Sequence, residues 1–206
     1  YKDYLEKNHS FDKKTMIGIF CMIIVISGVF GFLYEYFFYF FNGGMKEFYY
    51  RGGNFLPWIN IYATGSVMIY ILTYKYRKNP LKVFLISVIS TGLLEYFSGL
   101  GIYIIGDGLR YWDYNTEILN FGNINGFICL RSVMFFALSA LLLMYVIVPF
   151  CFRVASKSNK KVFLIVTILV ITMGTFLCTT KVYGAEKAID DSTESRIIEL
   201  KENATN

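Results

Sequence analysis

Five long apolar stretches, separated by polar and basic segments, divide the chain at about 16–41, 58–76, 81–105, 125–152 and 162–180. A hydrocarbon core of about 30 Å is crossed by roughly 20 residues rising 1.5 Å each, so each stretch predicts a membrane-spanning helix. The second is the shortest and is rich in Tyr. The expected fold is therefore all-α, a polytopic transmembrane bundle of about five spans. Residues 1–15 form a polar N-terminal segment and 16–152 a four-span core. A basic loop and the fifth span occupy 153–184, and a polar tail occupies 185–206.

Inside these runs the polar positions are few and spaced with a helical period. Ser27, Gly31 and Glu35 recur every four residues in the first span, as do Ser87, Thr91, Glu95 and Gly99 in the third. Positions four apart share one helical face, so each carboxylate belongs to a stripe of small or hydroxyl residues that allows close backbone approach. Glu35, Glu95 and Arg131 are the only charges in the interiors of their runs. A charge at the bilayer centre costs about 2.5–3.5 kcal/mol on insertion scales, which calls for a partner, a cavity or a function. Arg131 falls six residues into the predicted fourth span, about 9 Å along the axis, at a depth comparable to the two glutamates. A guanidinium between two carboxylates would offset much of that cost, giving one intramembrane polar site of Glu35, Glu95 and Arg131 near the outer face. The same triad would also serve as a structural ion-pair network that fixes helix register.

Charge sets the orientation. Lys2, Lys7, Lys13 and Lys14 precede the first span. Lys75, Arg77, Lys78 and Lys82 lie between the second and third, and Arg153, Lys157, Lys160 and Lys161 between the fourth and fifth. The opposite loops hold only Lys46, Arg51 and Arg110. The positive-inside rule then places the N-terminus in the cytoplasm and the C-terminal tail outside. The net charge of +5 comes largely from these clusters beside apolar spans, which fits membrane orientation and not a nucleic-acid surface. An apolar fraction of 55% and a mean hydropathy of +0.47 agree with a lipid-bilayer protein. No cleavable signal peptide is expected, because the first 15 residues are polar and the run that follows is too long for one.

Four cysteines, Cys21, Cys129, Cys151 and Cys178, are scattered without CxxC spacing and read as small buried hydrophobes. His9 is the only histidine, so a His-based triad or His-rich zinc site within the membrane core is not expected. The outer loops carry the remaining candidates. Loop 42–57 contains Gly43, Gly44, Gly52 and Gly53 and leads into Trp58, an interfacial anchor. Loop 106–124 supplies outer-mouth candidates Trp112, Asp113, Tyr114 and Asn123, followed by Asn125. Asp113 has Arg110 or Arg131 as prospective partners. Asn125 reads as the cap of the fourth span, and Asp107-Gly108 as a turn. In the tail, Asp191 and Glu194 have capping-box spacing before Ile197.

Five segments in order carry a resemblance: 31–35 (GFLYE), 53–57 (GNFLP), 93–99 (LLEYFSG), 112–114 (WDY) and 123–130 (NINGFICL). With them the chain resembles the type IV ABC transporter permease family of bacterial multi-span membrane proteins. The family's FLP element usually continues with a Tyr-Gly step, where this chain has Trp58 and Ile59. The resemblance implies a bacterial plasma-membrane location and a permease-like role. It also implies a separate ATPase subunit, because the chain has no GxxxxGK[ST] loop. Five spans are few for an independent transporter, so a partner subunit or a homo-oligomer is expected. No cofactor is implied, and the solute class and any metal are not readable. Two other functions fit the residues. One is an intramembrane enzyme using Glu35, Glu95 and Asp113 on a lipid or envelope substrate. The other is an accessory membrane protein whose charges are structural.

Overall fold

The computed structural model describes residues 2–6, 10–42, 60–108, 110 and 112–179. They are mostly helical, with no strand among them beyond one isolated bridge between Ile124 and Ile128. Helix α1 is Lys2–Glu6, α2 is Lys13–Asn42, α3 is Asn60–Thr73 and α4 is Pro80–Ile105. Helix α5, Leu130–Leu142, continues through a π turn at Leu143–Ile147 into α6, Val148–Lys157, and α7 is Lys160–Thr179.

Local chemistry accounts for these limits. Asp12 precedes α2 and accepts from the backbone N–H and the hydroxyl of Thr15. Asn79 caps α4 by accepting from the Lys82 N–H at 3.1 Å, and Pro80 occupies the first helical position, where a missing N–H costs nothing. The π turn lies just before Pro149. A proline ring cannot tolerate the regular carbonyl four residues back, and the widened turn accommodates it.

Three described helices are long and apolar enough to cross a membrane: Lys13–Phe38, Pro80–Ile105 and Leu130–Lys157. Helix α3 has 14 residues, a rise of about 21 Å, and runs into a 3-10 turn at Tyr74–Tyr76. The expected second span started at 58, and Trp58 lies outside the described residues, as do loop 43–59, His9 and the tail with Asp191 and Glu194. The side chain of Cys178 is outside them too, whereas Cys129 and Cys151 are buried free thiols. One expectation is corrected. The fourth helix starts at Leu130, not at residue 125, so Arg131 lies in its first turn and not six residues deep.

Helix α2 packs along α3, α6 and α7, while α4 packs against α3 and α5. An apolar core fills one end of the bundle: Ile19, Ile23, Ile69, Tyr70, Val83, Met144, Val148 and Cys151. Buried Arg77 closes that end. Its Nε donates to the Tyr4 carbonyl at 2.9 Å, its guanidinium lies 4.3 Å from the Tyr74 ring centre, and Tyr145 donates to its carbonyl. The outward face of α4 exposes Leu85, Ile89, Leu93 and Phe97, four residues apart. Such a continuous apolar stripe, left uncovered, is what lipid covers. The buried carboxylate Glu95 and the loop between α4 and α5 lie toward the opposite end of the bundle.

Candidate functional site at the carboxylate end

Both predicted hydroxyl stripes face inward. Ser27, Ser87, Thr91 and Glu95 are all buried, and Glu95 is only 3% exposed. Its two carboxylate oxygens are held from different elements. Ser132 on α5 lies 2.8 Å from Oε2, and Tyr114, from the loop between α4 and α5, donates to Oε1. Burial, and then the neighbouring Glu95 carboxylate, hold the Tyr114 phenol well above its ordinary range, so it stays protonated and donates. Glu35 on α2 accepts from Tyr62 of α3 at 2.8 Å. That bond depends on Gly31, where any side chain would run into the Tyr62 ring.

Arg131 does not sit between the two span glutamates. Its guanidinium pairs with Glu117, donates to the Ile118 carbonyl at 2.7 Å, and covers the rings of Phe38 at 4.7 Å and Tyr114 at 5.6 Å. The ion pair is mostly shielded, at 18% and 12% side-chain exposure, and it ties the loop to α5 and α2. Sequence reasoning missed Glu117 and Ser132. Glu117 lies in a loop without periodicity, and Ser132 is an ordinary hydroxyl whose only signal is its place beside Arg131.

The loop itself is tightly built. Asn125 and Gly126 have φ of 56° and 76°, and Phe127 N–H donates to the Ile124 carbonyl at 3.1 Å. Two successive positive φ values define a type I′ turn, the turn that Asn-Gly favours, so Asn125 turns a hairpin and caps no helix. Cys129 occupies the cap position instead. The turn sends Phe127 and Cys129 back into the bundle, where both are buried, and Trp112 donates to the Phe127 carbonyl at 2.9 Å. Asp113 is 3.6 Å from Arg110 and accepts from Asn115, while Asn123 bridges Asn115 and the Gly126 N–H. Trp112, Asp113, Asn123 and Asn125 therefore shape the loop, and Tyr114 alone of the outer-mouth candidates bonds directly to a span carboxylate. Among the described residues no group of three metal-ligating side chains converges.

Beneath Glu95 lies a cavity of about 40 Å³ bordered by Ser27, Tyr62, Ser66, Thr91, Glu95 and Ser139, with apolar walls from α2 to the π turn. The arrangement is a carboxylate-rich site under a structured loop, with a small, mostly apolar chamber on the side away from the loop.

No curated protein and no solved structure matches the chain. A family model described as "Putative ABC-transporter type IV" matches residues 21–181, which takes in α3 to α7, α2 from Cys21 onward, and every residue of the candidate site. The chain is a membrane protein that belongs to this type IV ABC-transporter family.

Proposed function

We propose that the chain is the membrane-embedded, permease-like subunit of a transporter driven by a separate ATPase in the bacterial plasma membrane. It crosses the membrane about five times, with the N-terminus in the cytoplasm and the C-terminal tail outside. Glu35, Glu95 and Arg131, joined by Glu117, Tyr114 and Ser132, form the polar site through which a small solute is handled near the outer face.

One observation carries this reading. Glu95 is buried, yet its partners come from a separate helix and from an outer loop, so displacing the loop frees a carboxylate toward the outside. Intramembrane ionisable groups at such joints mark substrate or ion pathways. The accessory reading draws on the Arg131–Glu117 pair, which satisfies both charges within the chain. Mild detergent extraction of the tagged protein from its native membrane tests the proposal. Recovery of a stoichiometric ATPase subunit is expected. Recovery of the chain alone, from membranes that contain the folded protein, would count against the transporter role.

A further inference from the structure

Glu95 is held without a cation. Among the described residues no ion pair reaches it, although two arginines lie at this end of the bundle. Arg131 is committed to Glu117 and the Ile118 carbonyl, and Arg110 to Asp113 and the Asn125 carbonyl. The other ionisable groups here are Tyr34 and Glu35 of α2, Tyr62 of α3, Tyr96 of α4, Tyr114 of the loop and the Cys129 thiol ahead of α5. Tyr62 already donates to Glu35, and Tyr114 brings Glu95 a hydrogen bond but no charge. A carboxylate that is 3% exposed and lacks a counter-charge is costly, and the neutral acid removes that cost.

The protons around Ser132 point the same way. Its Oγ lies 2.8 Å from Glu95 Oε2 and 2.9 Å from the Cys129 carbonyl, and it accepts the Cys129 N–H at 3.3 Å. A serine has one proton and can donate to only one of those two oxygens. With Glu95 ionised, one of the two contacts would be a pair of oxygens with no proton between them. With Glu95 neutral, Tyr114 donates to Oε1, the Oε2–H donates to Ser132, and Ser132 donates to the Cys129 carbonyl. Every proton in that chain then has its acceptor.

We propose that Glu95 is a proton-binding site: the folded protein holds it as the neutral acid, and displacement of the loop that carries Tyr114 releases the proton. The step is a proton transfer alone. Opening breaks the Tyr114 contact and admits water, the Oε2–H bond breaks, the proton passes to that water, and the carboxylate keeps the electron pair. A proton taken up on closing and given up on opening ties the position of the loop to the pH on its side of the membrane. Its part in transport rests on the reading above; the binding itself does not.

Infrared difference spectroscopy of the purified full chain in detergent reads the acid directly, through the carbonyl stretch of a protonated carboxyl. Near neutral pH an ordinary glutamate, of pKa about 4.3, is ionised and gives no such band. The wild type is expected to show a band of one carboxyl per chain that persists at neutral pH and shifts in D2O. Glu95→Gln should lose it and Glu35→Gln should keep it. An amide makes the same two bonds as the neutral acid, so Glu95→Gln is expected to fold. Tyr114→Phe, which frees Oε1, should move the band to higher frequency, a change readable even where Glu95→Gln fails to fold. Gly126→Ala, whose added Cβ would meet Asp113, Asn115 and Arg110, should release the loop, lose most of the band at neutral pH and regain it on acidification. Absence of the band from the folded wild type at neutral pH would overturn the proposal. A band that survives Glu95→Gln, or one unmoved by Tyr114→Phe, belongs to another carboxyl and overturns it as well. A full band in Gly126→Ala beside faster amide exchange across the loop would overturn release on opening. A proton-loaded Glu95 in a chain recovered without an ATPase would sink the transporter reading alone, and an ionised Glu95 in a complex with one would sink the proton site alone.

Discussion

Glu95 owes its tolerance inside the bundle to two hydroxyls that arrive from different directions. Removing the carboxylate orphans the Tyr114 hydroxyl, while Ser132 keeps the Cys129 carbonyl at 2.9 Å, and a buried polar group left without its partner costs about 1–3 kcal/mol. Glu95→Ala is therefore expected to lower stability by about 2–4 kcal/mol, and Tyr114→Phe and Ser132→Ala by about 1 kcal/mol each, read as Tm of the purified protein. Gly31→Ala places a Cβ into the Tyr62 ring and should cost about 1–3 kcal/mol through overpacking, with the Tyr62–Glu35 bond lost. Arg131→Gln and Glu117→Gln should each destabilise more than the double substitution does, because each single change strands a shielded charge. Much of this site is legible from spacing. The i+4 pattern alone puts Ser87, Thr91 and Glu95 on one face, and that face is the buried one. The partner of Arg131 is not legible, since Glu117 reaches it through a loop whose path no periodicity encodes.

Among the elements, the loop between α4 and α5 covers the carboxylate site. Its hairpin turn was open to reading from the Asn-Gly pair, which favours two positive φ values, yet an Asn ahead of an apolar run also fits a helix cap. The turn prevails because the chain must fold back for Phe127 and Cys129 to reach the interior. Gly126→Ala adds a Cβ at a φ of 76° that would meet Asp113, Asn115 and Arg110. We expect it to release the loop, seen as faster proteolysis and faster amide exchange across 112–129, with the spans intact. The π turn is legible only as a disturbance. Pro149 announces that the regular helix cannot continue unchanged, but not that the adjustment borders a chamber.

For the bundle as a unit, helical periodicity and length anticipate an all-α fold, and three described helices meet the requirement for crossing a membrane. Its two ends differ in kind. One is packed with aliphatic and aromatic side chains around Arg77, and the other carries the carboxylates and the folded loop. The proposed orientation puts the carboxylate end outside, because the basic clusters flank the other end. Alkaline phosphatase fused after Gly108 should be active and after Ser158 inactive; the reverse pattern would invert the topology. If the outer site handles solute and does more than hold the helices together, its buried carboxylate must matter to flux. ATP hydrolysis and solute flux by the complex purified with Glu95→Gln, beside the wild type, decide this. A complex assembled in normal yield is expected, with solute-dependent hydrolysis and flux at least tenfold lower. Undiminished flux in a normally assembled Glu95→Gln complex would refute a solute-handling role for the site.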